Sequence, residues 1–190
     1  MIIFLDGTYG IGKTSVVSEI KKKFVSDDLV FINADFWFRK MCDYKIHQAK
    51  KEATPKIGGM FPQTNITFIR SFQKRIAEKI KDENMNILVD MALTSDDCKE
   101  LILDYFTKIH RNVLHIILIA EEDTIRRRII HDVNRDKPQA LYEIKRNLDF
   151  LKDNYANAQQ INTENRTIVE VSQEVIEYIK CKGKFQYNLN

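Results

Sequence analysis

Short apolar runs alternate with longer stretches of helical periodicity along the whole chain. The first run, residues 2–5, is apolar at every position, as in a parallel strand buried on both faces. The periodic stretches place apolar residues three and four positions apart, which is the spacing of one helix face. This alternation predicts an α/β fold in which a parallel sheet is covered by helices on both sides.

The pattern predicts five strands and the helices between them. Strands are expected at residues 2–5, 29–32, 86–89, 113–119 and 158–162. Apolar helical spacing begins at Val16 and returns in residues 66–80, 101–109, 124–130, 141–151 and 168–179. Capping-box patterns begin at Thr94 and Thr167, and residues 50–63, rich in proline and glycine, predict a loop.

A glycine-rich motif follows the first apolar run directly. Residues 7–14 match G-x-x-x-x-G-K-[ST], and helical periodicity begins immediately after them. Glycines permit the backbone angles that turn successive N–H groups toward a phosphate, and the helix directs its positive end at the same anion. This setting predicts a site for ATP with Mg²⁺. The predicted nucleotide-binding residues are Gly7, Thr8, Tyr9, Gly10, Ile11, Gly12, Lys13, Thr14 and Ser15.

Two acidic residues end apolar runs, where ligands bind in parallel sheets. Asp90 follows residues 87–89 in the form of a Walker B acid, which would share Mg²⁺ with Thr14; the alternative is an acid that merely starts a loop. Asp35 is a candidate general base for an acceptor hydroxyl, with a helix N-cap as the alternative. Arg39 lies one helical turn later and is a candidate acceptor-binding residue.

Arginines are concentrated in the segment after the fourth strand. Such residues stabilise the charge of a phosphoryl group in transfer, although a solvated basic helix face is the alternative. The arginines concerned are Arg126, Arg127, Arg128, Arg135 and Arg146. Residues 131–138 are polar and predict a mobile lid over the site. Trp37 is interpreted as core packing or a lid contact in preference to a stacking surface for a substrate ring.

Composition excludes several classes of protein. The 190 residues carry 30 basic and 27 acidic side chains, a balance that does not indicate a nucleic-acid partner. Three widely spaced cysteines indicate free thiols and a cytoplasmic protein, and no apolar run reaches the length of a membrane span.

We expect one domain over residues 1–182 with a frayed tail at 183–190. A guanine-binding Asn-Lys-x-Asp motif does not occur, which disfavours a GTPase.

The glycine-rich motif, the acid after the second strand and the arginine-rich segment resemble the small P-loop kinases. Within that group the chain looks most like the tunicamycin-resistance proteins, for which Phe38-Arg39-Lys40-Met41 and Ile161-Asn162-Thr163 fall in a similar order. The resemblance implies a P-loop NTPase three-layer sandwich with a five-stranded parallel sheet in the order 2-3-1-4-5. It further implies Arg128 and Arg146 near the phosphates and an adenine pocket at 162–166, which includes Asn165.

These features together predict a kinase that transfers the γ-phosphoryl group of ATP to a small-molecule hydroxyl or phosphate, with antibiotic resistance as one setting. The predicted catalytic residues are Lys13, Asp35, Arg128 and Arg135, and the predicted acceptor-binding residues are Asp35, Arg39 and Arg70. The alternative is a nucleotide-binding module that sequesters a ligand with little phosphotransfer. Asp35 distinguishes the two, because only transfer to a hydroxyl needs a base.

Overall fold

The computed structural model describes residues 1–23, 29–49, 62–81, 85–132 and 137–182, of which 44–49 are described by their backbone alone. Several predictions fall outside these ranges. They are most of the loop predicted at residues 50–63, residues 133–136 of the predicted lid with Arg135, and the tail at 183–190. Within the predicted lid, His131 ends one helix and Lys137 begins the next, so the lid prediction is wrong at those positions.

Five parallel strands form one sheet, as the alternation predicts. The strands are β1 (Ile2–Asp6), β2 (Leu29–Asn33), β3 (Asn86–Asp90), β4 (Val113–Ile119) and β5 (Gln159–Asn162). Their spatial order is β2-β3-β1-β4-β5, which confirms the order implied by the resemblance. Central β1 pairs Ile2 with Ile87 of β3 and with Val113 of β4. Because every pairing is parallel, the strands present their carboxyl ends at one edge.

Helices occupy the connections between the strands. They are α1 (Lys13–Lys23), α2 (Ala34–Ala49), α3 (Ile66–Ile80), α4 (Asp96–Cys98), α5 (Tyr105–Ile109), α6 (Glu122–His131), α7 (Lys137–Asn154) and α8 (Ile168–Lys182). A 3₁₀ turn spans Pro62–Thr64, and a π-helical segment, Lys99–Asp104, joins α4 to α5. None of the described helices is both long enough and apolar enough to span a bilayer.

The sheet separates two apolar cores, because successive side chains of a strand point to opposite faces. Phe4 packs on one side with Phe72 of α3. Leu5 packs on the other with Ile20 of α1 and Ile176 of α8. Every residue of β1 is therefore buried, which fixes the segment that leads into the glycine-rich motif.

One of the two predicted capping boxes is present. Glu170 Oε2 accepts the Thr167 N–H at 2.8 Å, and Thr167 Oγ1 accepts the Glu170 N–H at 3.3 Å. The prediction at Thr94 is wrong, because Ser95 caps α4 by accepting the Cys98 N–H at 3.3 Å. Thr94 is only 2% exposed, so it belongs to the interior and the helix starts one residue later.

The helical stretch after β3 is not regular. A π-helical segment carries an extra residue per turn and rotates the face that follows it. Ile102 and Phe106 are fully buried, whereas Tyr105 and Ile109 are 38% and 59% exposed. The single apolar face predicted for residues 101–109 is therefore wrong at the latter two positions.

Candidate active site

The glycine-rich loop joins β1 to α1 at the carboxyl edge of the sheet. α1 becomes regular when Val16 donates its N–H to the carbonyl of Gly12 at 3.0 Å. The Lys13 ammonium donates to the carbonyl oxygens of Gly7 at 2.6 Å and Thr8 at 3.1 Å. The lysine thus lies against the loop, and the positive end of α1 faces the same space.

A cavity of about 370 Å³ opens over this loop, a size typical of small-molecule sites. Its walls include residues 8–16, Arg128 of α6, Asp132, Thr163 and Arg166 after β5, Ile168 and Val171 of α8, and Asp35 of α2. Most of the residues predicted from the motif therefore share one surface. Thr163 and Arg166 fall within the adenine pocket that the resemblance implied at 162–166, although neither residue was singled out there.

Thr14 and Asp90 meet beside the cavity. The Thr14 hydroxyl donates to Asp90 Oδ2 at 3.0 Å, and the Asn33 amide donates to the same oxygen at 2.6 Å. Burial raises the pKa of the Asp90 carboxyl; the positive charge of Lys13 partly opposes this, and the negative charge of Asp35 adds to it. The two predicted magnesium ligands are adjacent, and Asn33, which the sequence did not single out, orients the carboxylate.

Asp35 lies in the first turn of α2 with an exposed side chain. Asn33 accepts the Phe36 N–H at 2.7 Å, in the manner of an N-cap, so the N-cap alternative for Asp35 is wrong. Asp35 lines the cavity over the loop and also a second cavity of about 530 Å³, which contains Arg39 and Trp37. Asp35 and Arg39 are thus brought together as predicted.

Of the three consecutive arginines on α6, Arg128 faces the loop. Its guanidinium donates to the carbonyl of Ile11 at 3.3 Å and to the hydroxyl and carbonyl of Thr163, both at 2.9 Å. Arg126 and Arg127 donate instead to side chains of their own helix. Their positions match the alternative of a solvated basic face.

Other predicted residues lie elsewhere. Arg70 is exposed on α3 and does not line the two cavities beside the loop. Arg146 forms an ion pair with Glu143 at 2.5 Å on α7. Asn165 is exposed in a left-handed conformation (φ 53°), which asparagine tolerates, and it is not in the wall of the 370 Å³ cavity.

A buried polar network supports the loop from below. Asp6 has no exposed surface, and its Oδ1 accepts the N–H of Gly7 at 2.6 Å and of Leu93 at 2.8 Å. Its Oδ2 lies 2.9 Å from His115 Nε2 on β4. The His115 ring packs edge-on against Tyr155, whose hydroxyl donates to the Leu93 carbonyl at 2.8 Å. Sequence reasoning assigned no role to Asp6, His115 or Tyr155, because their meeting depends on strand register.

The sheet order, the glycine-rich loop and the paired Thr14 and Asp90 define a fold of the P-loop kinase type. The chain belongs to the AAA domain family, whose model matches residues 2–146. Among curated protein sequences, none matches this chain significantly.

Solved structures share the fold at low sequence identity. A tunicamycin resistance protein from Deinococcus radiodurans superposes with a TM-score of 0.66 at 18% identity, covering 94% of each chain. A gluconokinase from Sinorhizobium meliloti 1021 gives 0.61 at 14% identity, covering 94% of this chain and 91% of the other. A shikimate kinase from Bacteroides thetaiotaomicron gives 0.58 at 18%, covering 95% and 98%. These matches confirm the resemblance to small P-loop kinases and tunicamycin-resistance proteins.

Proposed function

We propose that the protein is a kinase that transfers the γ-phosphoryl group of ATP to a hydroxyl on a small molecule. One observation carries this proposal: Thr14 and Asp35 line both the cavity over the glycine-rich loop and the adjoining 530 Å³ cavity. A nucleotide in the first cavity would present its terminal phosphate at the boundary, where an acceptor in the second could reach it.

The chain offers a fitting pair of ligands for Mg²⁺. Neighbouring ligands of an octahedral magnesium ion lie about 3.0 Å apart when each bond is about 2.1 Å. The Thr14 hydroxyl and Asp90 Oδ2 are 3.0 Å apart, and Asn33 holds the carboxylate in place. Both residues would hold the ion, which would supply positive charge next to the phosphates.

Asp35 would act as the general base. The acceptor oxygen forms a bond to the γ-phosphorus as the bond from that phosphorus to the β-phosphate oxygen breaks, so that ADP leaves with the electron pair. The acceptor proton passes to the Asp35 carboxylate. An exposed carboxylate at the start of α2, with Arg39 in the same cavity, is suited to hold that hydroxyl.

Arg128 supplies positive charge beside the loop. Its contacts with Ile11 and Thr163 fix the guanidinium at the wall of the nucleotide cavity. A charge fixed there stabilises phosphate oxygens without reorganisation during transfer. Lys13 acts in the same way from the loop itself.

Asp35→Asn is the variant that tests this proposal. We expect ATP affinity to remain and turnover to fall by about 10²–10⁴-fold, because general-base removal has that effect. Asp43→Asn is the matched control, since Asp43 is also exposed on α2 and lines neither cavity beside the loop. ADP formation is measured against nucleosides, aminoglycosides, phenicols and nucleoside antibiotics.

The same screen separates the competing functions. Full turnover in Asp35→Asn would remove Asp35 as the base, and a loss confined to acceptor affinity would indicate a phosphate acceptor. Bound nucleotide without ADP formation for any acceptor would favour a module that sequesters its ligand. Stimulation by a nucleoside antibiotic would connect the chain to antibiotic resistance, the role named for the tunicamycin resistance protein of the same fold.

A further inference from the structure

A third cavity, of about 420 Å³, lies between α2 and α3. Phe68 and Phe72, which are 2% and 1% exposed, give it an apolar floor, and Trp37 forms part of its wall. Trp37 also lines the 530 Å³ cavity that contains Asp35. The two cavities are therefore neighbours across one indole ring.

The wall of this third cavity is strongly basic. It contains Lys40, Lys74 and Arg75 against a single acid, Glu78. None of the three basic residues forms an ion pair with an acidic residue in the described part of the chain. Basic residues elsewhere on helices do pair locally, as Lys145 does with Asp149 at 3.0 Å. Uncompensated positive charge around an apolar floor favours an anionic ligand with a flat apolar part.

Trp37 is surrounded by these cations. The Arg75 guanidinium carbon lies 3.2 Å from the indole centroid, and Lys40 Nζ lies 5.3 Å from it, both within the range of cation–π contacts. The guanidinium is planar, and its contact with the indole limits the orientations it can adopt. A guanidinium held in this way can donate two parallel hydrogen bonds to a carboxylate or phosphate. The indole and Arg75 thus present one combined surface to a ring that carries an anionic group.

We propose that this cavity binds the anionic, ring-bearing end of the acceptor, and so makes the protein select hydroxyl compounds that carry a carboxylate or phosphate. The assignment of the hydroxyl end rests on the proposed function, with Asp35 in the adjoining cavity. The anionic end would lie against Lys74 and Arg75, and the ring against Trp37. A neutral acceptor of the same shape would leave the basic cluster uncompensated.

The single tryptophan of the chain makes binding directly observable. Phenyl phosphate, phenylacetate and neutral benzyl alcohol are titrated while the fluorescence of Trp37 is recorded. We expect a saturable change with one or both anions and at least a tenfold weaker response with the alcohol, the size of one charge-assisted hydrogen bond. A carboxylate preference and a phosphate preference are told apart by the two anionic probes.

Three variants locate the site. Lys74→Glu reverses one exposed charge in the cavity and should lower the affinity for the anionic probe by roughly tenfold or more. Arg75→Ala removes the stacked guanidinium and should do the same. Lys79→Ala is the matched control, because it removes an exposed charge from the same helix outside the cavity, and its probe affinity should equal that of the wild type.

The outcome is independent of phosphotransfer. Lys13→Ala should retain the probe, since Lys13 lies outside the third cavity, so failure of the nucleotide site leaves this signal intact. The proposal is overturned if no probe gives a saturable change, if Lys74→Glu binds like Lys79→Ala, or if Lys13→Ala abolishes the signal. The last result would mean that the probe had entered the glycine-rich loop.

Discussion

At the scale of single residues, Lys13 is the side chain of the loop that we expect to bind the phosphates of ATP. Among the described residues its ammonium donates hydrogen bonds to the carbonyl oxygens of Gly7 and Thr8 and forms no ion pair with an acid, so its positive charge remains available to a phosphate. Lys13→Ala should abolish measurable ATP–Mg²⁺ binding in calorimetry and leave the circular dichroism spectrum unchanged, because the side chain belongs to neither apolar core. Unchanged affinity would exclude the loop as the nucleotide site.

Replacing Asp90 should raise the stability of the fold but weaken the binding of nucleotide with magnesium. A pKa raised by burial means that the folded state disfavours the ionised carboxyl, so ionised Asp90 destabilises the fold at pH values above that raised pKa. Without magnesium, Asp90→Asn should therefore unfold at a higher temperature than wild type at pH 8. The difference should shrink as the pH falls and the wild-type carboxyl takes up a proton.

The same variant should lose the magnesium-dependent part of nucleotide affinity. ADP titrations with Mg²⁺ and with EDTA measure this part directly. Thr14→Ala is the comparison, because it removes the other expected ligand without removing a buried charge. An equal loss of affinity with and without magnesium would exclude Asp90 from the metal site.

Residues within the motif could be predicted because their roles follow from local spacing. Lys13 and Thr14 belong to one loop–helix junction, and Asp90 ends an unambiguous apolar run. Asn33 and His115 could not be predicted, since each acquires its partner across the sheet. Neither residue has a local pattern that distinguishes it from a turn asparagine or an ordinary strand histidine.

At the scale of elements, Gly10 is the point where α6 packs on the loop. Its φ is 76°, and an added Cβ would lie 2.6 Å from Ile129 Cγ1 of α6. At Gly12 the φ is 106°, but an added Cβ would meet no atom within 4 Å. Substitution of Gly12 therefore tests backbone strain alone, whereas substitution of Gly10 adds a steric clash with α6.

Gly12→Ala should lower the free energy of unfolding by about 1–3 kcal/mol, the cost of a left-handed alanine. Gly10→Ala should lower it by about 1–3 kcal/mol more, because the methyl group also overpacks against α6. Urea denaturation measures both values. Equal losses would mean that α6 moves away freely and does not fix the position of Arg128.

The sequence predicted where most elements lie but not how some of them begin or turn. Hydrophobic spacing located α3, α6 and α8, because each buries one regular face. The start of α4 was misplaced because Thr94 and Ser95 both suit a cap, and only tertiary burial decides between them. The π-helical segment Lys99–Asp104 likewise has no local signal, since its apolar residues also fit a regular helix.

At the scale of the whole molecule, the two cores share one sheet. We propose that residues 1–182 form a single cooperative unit, because the four apolar residues of β1 pack alternately into one core and the other. Phe72→Ala on one side and Ile176→Ala on the other should each destabilise by about 2–5 kcal/mol.

Each variant should lower the midpoint temperature of one common unfolding transition in calorimetry. In the double variant the two losses of unfolding free energy should add. Two separate transitions, each sensitive to one substitution, would show that the halves unfold independently.

The class of the fold followed from the alternation of strands and helices, but the order of the strands did not. Apolar runs of similar composition, such as β1 and β3, are interchangeable in pattern, and only the resemblance implied that β1 lies at the centre. The third cavity was missed for a related reason. Trp37 and Arg75 lie on different helices, and their stacking arises from the packing of α2 against α3.

The Asp6 network has a consequence for synthesis of the chain. The loop leaves the ribosome before its partners do, because Asp6 finds Leu93 87 residues later and His115 109 residues later. At roughly 5–20 residues per second, the interval before both partners exist is on the order of ten seconds. We expect the nascent loop to be unable to hold a nucleotide until β1, β3 and β4 have paired, so that first capture of ATP marks completion of the central strands.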